Sequence, residues 1–360
     1  MSTIDRYIIR TFFSSYVMLL AIGIGLYIVS DLLLNIDEFT EDASLPLSTV
    51  LFSIFDYYSS NLPLYYSQLG GPLMAIAASF TLGMMLRNNE LVALVAAGMP
   101  LQRLLAPLLG CAVALIALWF INREVVMPPL AAKIARTHDD ILGARAEGVL
   151  ARDGRNVIVT ALRLYPEQGR MERVFLIEPD ERGVPSGLIE ADVATYDEKS
   201  QSWRLERGFR YVSGASAAAR PGIDKEPVHA YPLTLDPQEL SLRRDSQWAD
   251  YLSLSQLDSL LRAGNLPNWM SVNMSRHIRL TQPLLQLILL LLAIPFFLTR
   301  EQPHVLVAAG RALLVAGAFF TITFVSQNIV KDVAYDTIIA WLPIMVFGPV
   351  ATWQVLNIKT

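Results

Sequence analysis

The feature that most limits what this chain can fold into is the spacing of its uncharged apolar stretches. Windows of about 20 apolar residues, enough to cross a hydrocarbon layer about 30 Å thick as a helix, occur in two groups. The first group is Phe12–Leu34, Tyr65–Leu86 and Leu104–Ile121; the second is Leu280–Leu298, Ala312–Val330 and Ile338–Leu356. Inside lipid no water satisfies the backbone, so each window must be helical. Of the 360 residues 53% are hydrophobic and only 17% charged, against roughly 25% charged in soluble domains. The deficit is concentrated in the windows. The fold class is therefore a polytopic α-helical membrane protein with six transmembrane helices and a domain inserted between the two groups. The first window, preceded by Arg6 and Arg10, is too long for a cleaved signal peptide and reads as a retained anchor.

Cations on the short connections orient the spans. Arg6 and Arg10 precede the first, Arg87 and Arg103 fall between the second and third, and Arg300 and Arg311 between the fourth and fifth. The connection after the first span carries Asp37, Glu38, Glu41, Asp42 and Asp56 and no Lys or Arg. The positive-inside rule then places both termini in the cytoplasm and the insert outside. Asp31, near the outer end of the first span, reads as interfacial. Gly23, Gly25, Gly110 and Gly317 read as close-packing positions, and Pro295 as a kink.

The sequence divides into 1–121, 122–273 and 274–360. The middle segment opens with a helical stretch, Pro129–Ala146, and then changes to short runs bounded by turn residues. Asn156–Leu164 and Met171–Ile177 are strands, and Gly187–Tyr196 with Trp203–Val212 form a hairpin around Asp197-Glu198-Lys199-Ser200. Such spacing predicts an antiparallel sandwich or jelly roll. Ser213–Pro227 reads as a loop, and Ser253–Arg262 as a short amphipathic helix with a serine N-cap, stopped by Gly264. Alternation places Val159 on one face, and Ile189, Ala191 and Val193 inward opposite Glu190 and Asp192.

The most informative short stretch is Arg87-Asn88-Asn89-Glu90-Leu91-Val92-Ala93-Leu94-Val95-Ala96-Ala97-Gly98-Met99-Pro100. An asparagine caps its start, Glu90 sits where a carboxylate favours the helix dipole, and Gly98 supplies a left-handed residue past the end. The expected product is a helix of under three turns with Leu91, Leu94 and Val95 as a narrow apolar stripe. Two readings fit the pattern equally. It either rests on lipid at the interface, or docks into a cytoplasmic ATPase and transmits its motion.

Catalytic readings lack residues. The 4 histidines (His138, His229, His277 and His304) fall on different elements, and no HExxH, GxSxG or GxxxxGK[ST] motif occurs. No catalytic or metal site, cofactor or ATP site is expected. The single cysteine, Cys111, allows no intrachain disulfide, and a net charge of −4 without a basic run gives no footprint for nucleic acid.

The sequence resembles the lipopolysaccharide export permeases of the LptF/LptG type, also called YjgP/YjgQ. The resemblance rests on Ile4-Asp5-Arg6-Tyr7-Ile8, on Asn89-Glu90-Leu91-Val92-Ala93-Leu94 with Ala96-Ala97-Gly98, on the run from Tyr196 through Trp203 to Leu205, and on the layout of spans around the insert. It implies a non-catalytic permease subunit of an ABC transporter in the bacterial inner membrane, with a second homologous permease subunit beside it. A cytoplasmic nucleotide-binding ATPase dimer and a single-span periplasmic bridge protein are the other implied partners. Lipopolysaccharide or a related glycolipid is the cargo, and the set Val159, Ile189, Ala191 and Val193 becomes the path for its acyl chains. The helix around Glu90 becomes the coupling helix, with Glu90, Leu91, Leu94, Val95 and Gly98 as its site residues. The chain departs from the family in its acidic outer end of the first span, where members often carry cations for lipid phosphates. Either the other subunit supplies them, the lipid has fewer phosphates, or metal ions bridge. A membrane sensor or scaffold with a binding domain outside, and a lipid-modifying enzyme, are the alternative functions.

Overall fold

A computed structural model describes residues 2–36, 46–135, 146–180, 184–213, 223–243, 248–263, 269–298, 304–328 and 336–358. It divides into two compact units. One comprises Met1–Leu33, Leu62–Met127 and Met270–Thr360; the other comprises Leu34–Asn61 and Pro128–Trp269.

The first unit is the helical one. Its spans are α1 (Thr3–Leu34), most of α2 (Leu47–Arg87), α4 (Leu105–Ile121), α8 (Trp269–Ala293), α9 (Val305–Asn328) and α10 (Asp336–Leu356). Among the described residues 6 helices are long and apolar enough to cross a membrane. Several outrun the apolar windows. α2 has 41 residues, about 60 Å at 1.5 Å per residue, and starts well before Tyr65 because Asp56–Asn61 is polar yet still helical. Pro295 does not kink a continuing helix: it sits in a 3₁₀ turn, Ile294–Phe296, that ends α8. Gly23 is packed against the Leu73 side chain, but among the described residues Gly25, Gly110 and Gly317 meet nothing within 4 Å, so they are not close-packing positions there.

Several polar groups inside this unit bind carbonyls or carboxylates of neighbouring elements. Trp119 Nε1 donates to the Ser67 carbonyl at 2.8 Å, and Asn122 Nδ2 to the Pro63 carbonyl at 2.9 Å, joining α4 to α2. A π-helical turn, Asn122–Val126, follows α4 and turns Glu124 onto Arg279 of α8, 3.2 Å away. Arg279 is only 1% exposed. A cation at such depth is tolerable only when paired.

The second unit is built on one antiparallel sheet of 8 strands: β1 (Ala146–Arg152), β2 (Ile158–Tyr165), β3 (Arg170–Pro179), β4 (Pro185–Asp197), β5 (Ser202–Glu206), β6 (Phe209–Ser213), β7 (Ile223–Pro227) and β8 (Ala230–Tyr231). Short helices accompany it: α5 (Met127–Ile134), which belongs to this unit from Pro128, then α6 (Pro237–Arg243) and α7 (Leu254–Ala263). The expected hairpin is present, closing at Asp197↔Ser202. Ser253 and Gln256 cap α7 reciprocally, each side chain bonding the other's backbone N–H. Part of the expected 213–227 loop is instead a strand. Ile223–Pro227 pairs with β6, and the backbone ladder overrides a composition that reads as turn. Residues 214–222, much of the expected Pro129–Ala146 helix, and Gly264 lie outside the described residues.

Register explains the shape of the sheet. β5 and β6 keep one register against β4, with Val193↔Glu206 and Glu190↔Phe209, so they act as one strand interrupted at Arg207-Gly208. The interruption continues across the sheet. Gly148, Leu162, Arg173, Asp192 and Arg207 face one another in a row, and each is skipped by the pairing on either side. Gly148, Arg173 and Arg207 have φ of 65°, 49° and 50°, outside extended backbone. The row is a crease. Across it the buried positions step by three residues instead of two, from Ala161 to Leu164, from Met171 to Val174 and from Ala191 to Ala194. The buried face closes on Trp203, Leu233, Leu235 and Leu240 in one core. Trp203 Nε1 donates to the Leu235 carbonyl at 3.0 Å.

Two carboxylates hold the turns and edges of this sheet. Buried Asp153 accepts from the backbone N–H of Arg155 and Val157 and from Thr234, fixing the β1–β2 turn. Glu178 on β3 accepts from Arg210 of β6 and from the Tyr231 hydroxyl of β8 at 2.9 Å. Burial first, and then the Glu178 carboxylate, raise the Tyr231 phenol above its usual range.

At the crease Gly208 lies so near the β7–β8 connection that a Cβ there would stand 2.3 Å from the Val228 carbonyl oxygen. Gly208→Ala is therefore expected to destabilise the protein by about 1–3 kcal/mol. Gly25→Ala, with open space around it, should stay within about 0.5 kcal/mol. Thermal unfolding of the detergent-solubilised chain checks both, and equal melting points would remove the crease contact from the account.

Candidate functional site

The short helix between the second and third spans, α3 (Glu90–Ala96), is where the sequence motif falls. Its C-terminus is closed by a Schellman pair. The Gly98 N–H donates to the Val95 carbonyl at 2.9 Å and the Met99 N–H to the Leu94 carbonyl at 3.0 Å. This requires a left-handed residue, and Gly98 has φ 78°. Pro100 is extended, and a 3₁₀ turn, Leu101–Leu104, then leads into α4.

The N-terminus differs from the expected cap. Asn89 occupies the N-cap position but is itself left-handed, φ 61°, and its side chain makes no capping bond. The neighbouring Asn88 binds the first helical side chain, donating from Nδ2 to Glu90 Oε1 at 3.1 Å. The Tyr7 hydroxyl of α1 donates to the same oxygen at 3.2 Å. Glu90 is thus held from two sides while remaining partly exposed.

The apolar stripe also resolves differently. Leu91 is 3% exposed and packs in the bundle core with Ile8, Leu101 and Leu104; Leu94 and Met99 lean on the same cluster. Val95 does not join them. It is 38% exposed, as is Val92, and Ala93, Ala96 and Ala97 are exposed beside them. One face of α3 is an anchor, and the other is a smooth ridge of small apolar residues.

The second group of expected site residues lies in the sheet. Val159, Leu176 and Ile189 form one cross-strand row, and Ala161, Val174 and Ala191 the next. Val159, Ile189 and Ala191 are fully enclosed in the core. Val193 is not. It is half-buried, because the crease at Asp192 shifts the inward phase and Ala194 takes the buried position. Glu190 and Asp192 face outward as alternation requires. Val174 and Leu176, which complete both rows, were not legible, because Val174-Phe175-Leu176-Ile177 is a continuous apolar run without alternation. Asp31 is half-buried on α1, and Asp37 and Glu38 lie outside the described residues.

Among the described residues no three of His, Cys, Asp or Glu group as metal ligands. His277 sits against Thr337 and Trp341, at 3.4 and 3.5 Å, bracing α8 to α10. His138 lies outside the described residues.

A family model described as "Lipopolysaccharide export system permease LptF/LptG" matches residues 6–357. The chain belongs to that family. No curated protein matches it. The match spans both helical groups and the insert, so the chain is a multi-pass inner-membrane permease with an antiparallel β domain in mid-chain.

In this permease the two faces of α3 can be separated by substitution. Leu91→Ala should cost about 2–5 kcal/mol of stability, whereas Val95→Ala should remain within about 0.5 kcal/mol. Comparing melting points of the two purified variants distinguishes an anchored helix from one lying loosely on the bundle.

Proposed function

We propose that this chain is a transmembrane subunit of an ABC transporter that lifts lipopolysaccharide, or a related glycolipid, from the outer leaflet of the inner membrane. In this reading both termini are cytoplasmic and the β domain is periplasmic. A homologous permease pairs with the chain, a cytoplasmic ATPase dimer supplies the work, and a single-span periplasmic bridge protein receives the lipid. Lys and Arg on the short connections support the orientation. The missing GxxxxGK[ST] loop supports a separate ATPase.

The observation that carries the coupling role is the orientation of α3. A helix resting on lipid would turn its leucines toward the acyl chains. Here Leu91 faces the bundle, and Val92 and Val95 present a ridge beside the Glu90 carboxylate. That combination, rigidly backed and only mildly apolar, suits a groove on a protein better than a bilayer. Val92→Asp and Val95→Asp are expected to leave the permease folded and to abolish co-purification of the ATPase. Glu90→Ala should weaken it at least tenfold, since truncating a desolvated charged contact costs about 2–5 kcal/mol. Normal recovery of the ATPase by all three variants would return the helix to the lipid surface.

The sensor or scaffold alternative predicts the same docking without transport. For transport, the acyl-chain path proposed here follows the inner face of the sheet, past Val159, Ile189 and Ala191 with Val193 at its margin. Leu233, Leu235 and Leu240 share that core, so passage requires their segment to part from the strands. A photo-crosslinker at Val193, where half-exposure tolerates it, should capture lipid only when ATP and the ATPase are present. One at outward-facing Glu190 should capture none. Equal capture at both positions would place the lipid outside the domain.

A further inference from the structure

The Ile4–Ile8 motif has no part in the function proposed above, yet the fold brings it onto α3. Ile8 is fully buried in the cluster that holds Leu91, and Ile4 packs against that cluster. Ser2 and Asp5 cap the start of α1 reciprocally, the Ser2 N–H donating to Asp5 Oδ2 at 2.7 Å and the Asp5 N–H to Ser2 Oγ at 3.2 Å. The first turns of α1 are thereby fixed, and Tyr7 projects from them to Glu90. Both donors to that carboxylate, the Tyr7 hydroxyl and Asn88 Nδ2, end on Oε1. Among the described residues Oε2 accepts no hydrogen bond.

We propose that Tyr7 is a positioning residue: it holds Oε1 of Glu90 so that Oε2 is presented, pre-oriented, to an arginine or lysine in the ATPase groove. The inference rests on the docking role of α3 proposed above. A carboxylate has two oxygens and about four acceptor sites, and an unrestrained glutamate at a helix start loses rotamer freedom when it is captured. Securing one oxygen beforehand removes that cost and leaves the other for the charge-assisted bond. The same hydrogen bond has a mechanical consequence. Any displacement of α3 at its carboxylate is passed to the first turns of α1, in parallel with the core that Ile8 and Leu91 share. A cytoplasmic stroke thus reaches the first membrane span directly, without passing through the second.

The test is a double-mutant cycle on the full transporter, with the permease pair and ATPase reconstituted in proteoliposomes. Tyr7→Phe keeps the ring and removes the donor; Glu90→Gln keeps the shape and removes the charge. Tyr7→Phe is expected to raise the ATPase concentration for half-maximal assembly by about 3–10-fold, the cost of ordering one unrestrained side chain on binding. The melting temperature of the permease should not change. Added to Glu90→Gln, Tyr7→Phe should do nothing further, because it acts through that carboxylate. If Glu90→Gln weakens assembly and Tyr7→Phe does not, the positioning role is wrong and docking stands. If the two losses multiply, Tyr7 acts by another route and the inference is equally overturned. If Glu90→Gln itself has no effect on assembly, the docking role fails, and this inference with it.

Discussion

The constraint on which this structure depends is that a bilayer satisfies no backbone hydrogen bond. Every span is consequently a helix, and several polar side chains within the spans turn back to carbonyls. Thr81 donates to the Ala77 carbonyl, Thr321 to Gly317 and Thr352 to Gly348, each one turn earlier in its own helix. Longer side chains do the same between helices, as Trp119 and Asn122 do on α2. Charge follows the same rule, with Arg279 paired to Glu124 through a π-helical turn. A π turn aims one side chain differently from the α-helix on either side and is often kept for that purpose. The sheet obeys the rule by exclusion. Among the described residues β1 pairs only with β2, and β7 only with β6, and such edges carry donors and acceptors that lipid cannot serve. One unit is all helix and the other contains all the strands because of this single physical limit.

Much of that division was legible because hydropathy and alternation report burial directly. The number of spans, the hairpin around Asp197–Ser200 and the capped helix after Ser253 all follow from residue pattern. The misses share a cause: pattern reports environment, and geometry can change without the environment changing. α2 begins at Leu47 because a helix can continue into water, where Asp56 pairs with Lys133 of α5 at 3.1 Å, and a hydropathy window ends at the lipid. Val193 leaves the core because the crease at Asp192 advances the inward phase by one residue, and the crease residues Leu162, Arg173 and Arg207 carry no shared signature. Ile223–Pro227 looks like a turn by composition, yet the open edge of β6 recruits it as a strand.

The candidate site shows the same division more sharply. Gly98 was readable as a left-handed stop because the Schellman pair admits few other residues. The direction of the stripe was not, since Leu91, Leu94 and Val95 are equally apolar and only the packing of Ile8 and Leu101 decides which of them turns inward. Asn89 was readable as a residue tolerant of unusual backbone but not as a non-capping one. Asn and Asp are favoured both as caps and in the left-handed region, and here the backbone use displaced the side-chain use.

A seven-residue helix is too short to be stable alone in water, since helices shorter than ~12–15 residues are marginal. Whatever α3 does, its stability is borrowed from the bundle through Leu91 and Leu94 and from the Schellman closure at Gly98. That dependence has a mechanical side. A long, self-supporting helix could bend or slide while the spans stayed still, because its own hydrogen bonds would hold it together. α3 has no such reserve. Its Leu91 shares a core with Ile8 of α1 and Leu101 and Leu104 ahead of α4, so displacing the helix means displacing the ends of those spans or losing the helix. A motif of this length is a poor independent binding element and a good lever, and the shortness is what makes it one.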